Sequence, residues 1–167
     1  NSRIEAVGTL RAVRGVDISS EVAGLVEAVH FESGDQVQAG SLLVKLRADD
    51  ELAALDSLQA DDNLASLTYE RDLRQLKEKS VPQAIVDIDA ANLSKAKALV
   101  AEQQAKIEKK YIRAPFAGNL GIRAVDLGQY LSPGTVIVTL QALDPIYFDF
   151  YLPQQELANI KLGQEVV

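Results

Sequence analysis

The sequence predicts an elongated α+β protein: one β-sandwich built from two separated stretches of chain, with a long antiparallel α-helical hairpin inserted between them. Two observations support this prediction. A glycine-rich, strand-like pattern occurs twice, in residues 23–46 and again 94 positions later in residues 117–140. The intervening segment, from about Asp49 to Lys110, contains no glycine and a single proline, and its composition is typical of helices.

The composition limits the class of protein. The chain has 167 residues, of which 47% are hydrophobic and 25% charged, as expected for ordinary globular domains. No stretch approaches the roughly 18 apolar residues of a membrane-spanning helix. The net charge of −7 argues against a nucleic-acid partner. The chain has no Cys and no Met, and the missing Met predicts that a signal or anchor segment was lost before Asn1.

The repeated pattern depends on three pairs of glycines. They are Gly24 and Gly118, Gly34 and Gly128, and Gly40 and Gly134. Because glycine marks positions that need a positive φ or a close backbone approach, we predict structural turns at all six. Apolar positions also correspond, including Ile18 with Ile112. The repeat therefore predicts two similar β-units, residues 18–46 and 112–140, packed face to face around one core.

The segment between the repeats predicts two helices. The sequence KSVPQ at 79–83 separates them, because a proline disfavours helix at the preceding residue, here Val81. In the second helix a seven-residue repeat of apolar residues is typical of a coiled-coil seam: Val86, Leu93, Val100 and Ile107. In the first helix one face is predicted to hold Leu52, Leu55, Leu58, Tyr69, Leu73 and Leu76. Leu64 and Leu67 lie off that face, as isolated surface residues or as a contact stripe for a neighbouring molecule.

Residues that could support catalysis are scarce. His30 is the only histidine and there is no Cys, so no His/Cys zinc signature is possible. The acidic runs at 49–51 and 61–62 lack the spacing of a calcium loop and are expected to solvate or cap helices. No nucleophile elbow, phosphate loop or dinucleotide fingerprint is present. The sequence therefore predicts no catalytic residue, no cofactor and no metal.

Two glycine-turn β-units of this kind resemble the halves of biotinyl/lipoyl carrier domains. With a helical hairpin inserted between them, the chain resembles the periplasmic adaptor proteins, or membrane fusion proteins, of tripartite efflux pumps. The segment IRAPFAG at 112–118 is similar to the family's entry into the second lipoyl half. The segments VGTLRAVRGVDI at 7–18 and DPIYFDFYLPQQELANIKLGQEVV at 144–167 are similar to its connections with a β-barrel domain.

This resemblance implies a division of the chain. In order, it comprises a strand leading from a partial β-barrel domain (1–17), a first lipoyl-like half (18–48), the helical hairpin (49–110, turn near 80–83), a second lipoyl-like half (111–142) and the truncated start of the β-barrel domain (143–167). Within the barrel part, the candidate strands are Ile4–Leu10 and Ile146–Leu152, and Gln154–Ile160 is a candidate short helix.

The resemblance also implies a function. Such an adaptor is not an enzyme. It links an inner-membrane transporter, here of the resistance-nodulation-division type, to an outer-membrane channel protein, and it self-associates, commonly as a hexamer. It lies in the periplasm, anchored to the inner membrane through an N-terminal segment missing from this chain. The hairpin tip contacts the channel, and its candidate residues are Arg71, Arg74, Leu76, Lys79, Ser80 and Gln83. Gln75 and Pro82 depart from the Leu and Ser usual at this tip.

Two alternatives remain open from the residues. One is an adaptor of an ATP-driven macrolide pump or of a type I export system, in which the transporter differs and the adaptor fold is shared. The other is a lipoyl or biotinyl carrier domain of an enzyme complex, which needs a modified lysine at a β-turn between the halves. Lys45 lies within a strand pattern rather than at such a turn.

Overall fold

The computed structural model describes residues 7–151 and Gly163. Within those residues the chain forms eight strands and two helices. In order they are β1 (Gly8–Ser19), β2 (Gly24–Val29), β3 (Gln36–Val37), β4 (Leu42–Leu46), α1 (Asp49–Lys77), α2 (Gln83–Glu108), β5 (Tyr111–Arg113), β6 (Gly118–Leu120), β7 (Tyr130–Leu131) and β8 (Val136–Phe150).

The strands form two antiparallel four-stranded sheets related by an internal two-fold symmetry. One sheet has the order β1-β8-β6-β3 and the other β5-β4-β2-β7. The 94-residue repeat relates β1 to β5, β2 to β6, β3 to β7 and β4 to β8. If each strand is replaced by its counterpart, the order of one sheet becomes the order of the other. Each sheet therefore takes two strands from each repeat. The repeats are interleaved rather than packed face to face as separate units, because β4 and β5, and likewise β1 and β8, pair across the repeats.

The core shows the same symmetry at the level of side chains. Six pairs of buried residues, each 94 positions apart, come together in a single cluster: Ile18 and Ile112, Val26 and Leu120, Phe31 and Val125, Leu43 and Ile137, Val44 and Val138, and Leu46 and Leu140. Ala114 and Leu131 complete it. Both repeats therefore bury their apolar positions in one common core.

Four of the six glycines lie at turns and two do not. Gly34, Gly40, Gly128 and Gly134 have φ values between 80° and 90°, where only glycine is unstrained. Gly24 and Gly118 instead begin β2 and β6, so the prediction of turns there is wrong. At these two positions glycine is needed for lack of space rather than for backbone conformation. A Cβ at Gly118 would lie 2.5 Å from the backbone oxygen of Gln141, because β6 passes close to β8.

The helices run antiparallel, joined by residues 78–82. Gln103 of α2 donates a hydrogen bond to the backbone oxygen of Glu51 near the start of α1, which places the end of α2 beside the beginning of α1. Eight of the less exposed residues of α1 form one face, at alternating spacings of four and three: Glu51, Leu55, Leu58, Asp62, Ala65, Tyr69, Asp72 and Leu76. Leu52, predicted on this face, is 42% exposed, and Leu64 and Leu67 are each 65% exposed.

The ends of the sandwich strands extend past the predicted boundaries. β1 runs from Gly8 to Ser19, across the predicted boundary between residues 17 and 18, and β8 runs from Val136 to Phe150, across the predicted boundary between residues 142 and 143. The two strands pair along this length, from Ser19 with Val136 to Gly8 with Phe150. Of the candidate strands Ile4–Leu10 and Ile146–Leu152, residues 8–10 and 146–150 belong to this two-stranded ribbon of β1 and β8. The candidate helix Gln154–Ile160 lies outside the described residues.

Candidate partner interface at the helical tip

The turn between α1 and α2 is closed by a Schellman motif. The backbone N–H of Ser80 donates to the carbonyl oxygen of Gln75 at 2.8 Å, and that of Lys79 donates to Leu76 at 2.9 Å. This pattern normally places glycine at the residue with positive φ. Here that residue is Lys79, at φ 58°. The tip therefore holds a charged L-residue in a strained backbone conformation.

The second half of the turn starts α2. Pro82 has φ −72° and ψ 151° and precedes the first helical residue, as the fixed φ and missing N–H of proline allow. Its carbonyl oxygen accepts from the N–H of Ile85 at 3.1 Å. Gln83 donates through its Nε2 to Oδ1 of Asp87 at 2.8 Å, one turn along the helix. Proline where the usual adaptor tip has Ser thus serves as the start of a helix.

The six candidate contact residues are not equivalent in the structure. Arg74, Lys79, Ser80 and Gln83 are exposed at or near the turn, whereas Leu76 is half-buried on the side of α1 that faces α2. Arg71 lies further from the turn, and its Nε donates to Oδ1 of the neighbouring Asp72 at 2.9 Å. Four of the candidates are thus exposed within ten residues of one another along the chain, and Arg71 has an intramolecular partner.

Two carboxyl groups meet between the helices beside Arg71. Asp72 of α1 is buried, and its side chain is 12% exposed. It accepts a hydrogen bond from Arg71 and lies close to the carboxyl group of Asp89 of α2. The hydrogen bond from Arg71 lowers the pKa of Asp72 below its ordinary value. Burial, followed by the hydrogen bond and the negative charge of Asp72, raises the pKa of Asp89. Asp89 is therefore the member of the pair that binds a proton more readily.

Sequence reasoning missed the polar residues of the helix seam, although a signal was available. In the seven-residue repeat that starts at Val86, Asp89 and Gln103 occupy the position three residues after an apolar one, and Gln103 is buried. Both reach across to α1: Asp89 contacts Asp72, and Gln103 contacts the backbone of Glu51. A polar residue at such a position of a heptad indicates a specific contact with the partner helix.

The opposite end of the helix pair is fixed to the sandwich by Lys110. Its Nζ lies 2.8 Å from Oε1 of Glu51, at the start of α1, and donates to the carbonyl oxygen of Ala23 at 3.2 Å. The side chain of Lys110 is 11% exposed. The hydrogen bond from Lys110 lowers the pKa of Glu51. The sequence places Lys110 at the basic end of a helix, but only the fold shows that it joins both helices to the strand region.

Other kinds of site receive little support. Among residues 7–151 and 163, no group of three or more His, Cys, Asp or Glu side chains is arranged to hold a metal ion. Within that same part of the chain, neither helix combines the length and apolar character needed to cross a bilayer. His30 is exposed just after β2, and its backbone N–H donates to Leu43.

The sequence is related to proteins named for multidrug resistance. Over 178 aligned residues it is 31% identical to the multidrug resistance protein MdtA of Proteus mirabilis, with 97% of this chain and 43% of that protein covered. The chain therefore spans less than half the length of this curated relative.

Solved structures share the fold. A chimera of MacA that contains the α-hairpin domain of Pseudomonas aeruginosa MexA superposes with a TM-score of 0.83 at 21% identity, covering 95% of this chain and 59% of that one. A putative efflux transporter from Bacteroides eggerthii gives a TM-score of 0.77 at 24% identity, covering 90% of this chain and 46% of that one. The family model described as the CzcB-like, barrel-sandwich hybrid domain matches residues 14–141, which include both helices, six whole strands and part of β1 and β8. The chain therefore belongs to the CzcB-like barrel-sandwich hybrid domain family.

Proposed function

We propose that this chain is the central part of a periplasmic adaptor subunit, which links an inner-membrane transporter to an outer-membrane channel in a tripartite efflux pump. The observation that supports this most directly is the insertion of a long helix pair between β4 and β5 of the sandwich. At about 1.5 Å per residue, the 29 residues of α1 extend for about 43 Å. A rigid projection of this length suits a protein that spans a distance between partners rather than one that encloses a substrate.

The finer architecture is part of the same proposal. The two interleaved repeats correspond to lipoyl-like halves, and the helix pair corresponds to a coiled-coil hairpin. The part of the β1–β8 ribbon that precedes Arg14 in β1 corresponds to the start of a β-barrel domain. Its support is the shared topology of the repeats and the similarity to the MdtA sequence. The adaptor is non-catalytic and acts by shape and by its surfaces, and several copies, commonly six, surround the conduit.

The tip is proposed to bind the channel through its exposed polar residues. Arg74, Lys79, Ser80 and Gln83 present hydrogen-bond donors at the end of the helix pair. A tip can open a channel only if it binds the open state more tightly than the closed one. Arg71 contributes differently, because its bond to Asp72 holds its guanidinium group beside the seam and leaves the side chain 57% exposed.

The carrier-domain alternative gains no support from the fold. A carrier displays its modified lysine on the tight turn between the halves, where this chain has α1 and α2. Lys45 lies inside β4, and its Nζ is 3.1 Å from Oε2 of Glu27. An amine held in an ion pair within a strand is poorly placed for a swinging arm.

The proposed function is tested with the full-length gene in its own host. Deleting the gene should raise intracellular accumulation of a fluorescent efflux substrate, and the wild-type gene should restore export. Arg74→Glu should fail to restore it, whereas Lys97→Glu, the same charge change on the exposed middle of α2, should restore it fully. Unchanged accumulation after deletion would contradict the adaptor function. A loss of export on collapse of the proton gradient, with ATP maintained, supports a proton-driven transporter, and the reverse result supports the ATP-driven alternative.

A further inference from the structure

Lys79 has an unusual backbone conformation for a residue with a side chain. Six residues in the part of the chain that the structure describes have a positive φ, and five of them are glycines. Lys79 is the sixth, at φ 58°. The backbone N–H groups of Lys79 and Ser80, which donate to Leu76 and Gln75, hold it in this conformation at the end of α1. Glycine would close the same turn without strain, so the turn itself gives no reason for a lysine.

Contacts within the chain do not compensate for this conformation. The side chain of Lys79 is exposed, and every ion pair in the described part of the chain involves other residues. A cation near the C-terminus of a helix interacts favourably with the helix dipole, by a factor of about 2 to 5. The left-handed conformation of an L-residue is disfavoured by a larger factor, roughly 5 to 30. The chain therefore has a lysine at a position where folding favours glycine.

The charge at the tip has the opposite sign from that of the rest of the chain. Residues 74–83 contain three cations, Arg74, Lys77 and Lys79, and one acidic residue, Glu78, which gives a net charge of +2. Because the chain as a whole carries −7, its other residues together carry −9. All three cations are exposed, and none of them pairs with a carboxylate of residues 7–151. The tip is thus a cationic end on an anionic chain.

This distribution of charge favours an acidic protein surface as the partner. Such a surface attracts the tip and repels the rest of the chain, so that the helix pair approaches it end-on. An anionic membrane fits less well, because no large apolar side chain is exposed at residues 78–83 to enter it. The exposed residues there are Glu78, Lys79, Ser80, Pro82 and Gln83. Ser80 and Gln83 can add directed hydrogen bonds to the carboxylates of a protein.

We propose that Lys79 determines which partner the tip recognises, by placing its ammonium group against carboxylates on an acidic surface of a second protein. Residues held in disfavoured backbone conformations cluster at functional sites, and here the conformation fixes the direction in which the side chain leaves the turn. This inference rests on the proposed function, because it specifies what the tip of the adaptor recognises. It assigns an acidic contact surface to the outer-membrane partner.

The first test measures export of a fluorescent substrate with the full-length gene in its own host. Lys79→Ala removes the charge and keeps the disfavoured conformation, whereas Lys79→Gly removes both. Each should reduce the rate of export at least about fivefold, and Lys79→Arg, which keeps the charge, should change it less than about twofold. The melting temperature of Lys79→Gly should be no lower than that of the wild type, so that unfolding does not explain its loss of export.

The second test identifies the carboxylate that Lys79 contacts. A carbodiimide joins a lysine amine to a carboxylate in contact with it through an amide bond and is itself converted to a urea; mass spectrometry then locates both residues. In cells that contain the full-length protein, the reagent should join Lys79 to an Asp or Glu of an outer-membrane protein. Lys109 and Glu21, which are exposed and 3.6 Å apart, are the internal positive control. Lys79→Arg should abolish the cross-link, because a guanidinium group does not form this amide.

The outcomes separate this inference from the proposed function. If deletion of the gene leaves export unchanged, the adaptor function is wrong and the role of Lys79 is wrong with it. If deletion abolishes export but Lys79→Ala exports as the wild type does, only the role of Lys79 is wrong. Cross-links of Lys79 confined to a second copy of this chain, or none where the control pair is joined, would also overturn it.

Discussion

The carboxyl groups of Asp72 in α1 and Asp89 in α2 lie close enough across the helix pair to shift each other's pKa, and the guanidinium group of Arg71 holds the first of them by a 2.9 Å contact. One oxygen of Asp89 is buried without a hydrogen-bond partner among the described residues. The two carboxyls thus differ in environment although they touch. Because neighbouring carboxylates repel each other and Asp89 has the raised pKa, a proton that binds the pair binds first to Asp89.

The pair makes the stability of the helix pair depend on pH in two directions. Asp89, whose pKa is raised by burial and by Asp72, stabilises the fold below its ordinary pKa and loses this contribution as the pH rises through its folded value. Asp72, whose pKa is lowered by Arg71, stabilises the fold above its ordinary pKa and loses this contribution as the pH falls. Asp89→Asn should therefore be more stable than the wild type at pH 7, by a margin that shrinks toward pH 4.

Urea unfolding of both proteins at several pH values measures this margin. Asp56→Asn, the same change at an exposed position of α1, is the matched control for loss of one carboxylate. A margin for Asp89→Asn that stays constant between pH 4 and 7 would contradict the raised pKa of Asp89.

Lys79 is expected to limit the stability of the tip. An L-residue with φ near 58° is disfavoured by roughly 1–2 kcal/mol relative to its preferred conformations. Lys79→Gly should therefore raise the free energy of unfolding by about 1 kcal/mol, as measured by denaturant unfolding. Lys79→Ala removes the charge but keeps the side-chain penalty, and should give little gain. If alanine and glycine stabilise equally, the charge and not the backbone conformation is responsible.

Lys110 and Lys109 are adjacent in the sequence, but we expect only Lys110 to contribute substantially to the free energy of unfolding. Lys110 is nearly buried against Glu51 and the carbonyl oxygen of Ala23, so Lys110→Met leaves a carboxylate without its partner. We expect a loss of about 1–3 kcal/mol in the free energy of unfolding, less than for a fully buried pair because Glu51 is partly exposed. Lys109 pairs with Glu21 at the surface, and Lys109→Met should cost no more than about 0.5 kcal/mol. Similar losses for both would contradict the role of Lys110 as the anchor of the helices.

Because of the internal two-fold symmetry, the same substitution at equivalent positions of the two repeats should change the free energy of unfolding by similar amounts. Gly40→Ala and Gly134→Ala each place a Cβ in open space at positive φ, and each should cost about 1–2 kcal/mol in the free energy of unfolding. Gly118→Ala is different, because its Cβ would lie 2.5 Å from a backbone oxygen, so β6 and β8 must separate. Thermal melts should rank Gly118→Ala as the most damaging of the three. A large difference between Gly40→Ala and Gly134→Ala would count against equivalent repeats.

Local patterns predicted much of this fold, and pairings between distant residues were the part they could not predict. Glycine spacing indicated the turns at Gly34 and Gly128, because positive φ is a property of a single residue. The interleaving of the sheets depends on which strands meet, and the pairing of β4 with β5 across two helices leaves no mark in either segment. At the tip, Pro82 predicted the break between helices, but nothing in a lysine indicates the left-handed conformation of Lys79.

The internal two-fold has a mechanical consequence. The helix pair leaves the sandwich between β4 and β5, and the ribbon of β1 and β8 leaves it at the counterpart position of the other sheet. The symmetry that exchanges the repeats thus exchanges the two exits, so each projecting arm is rooted in an equivalent pair of strands. A force on the helix pair acts first on the paired strands β4 and β5. It can reach β1 and β8 only through the shared core. We therefore expect the shared core of the sandwich to couple the orientation of the helix pair to that of the paired strands β1 and β8.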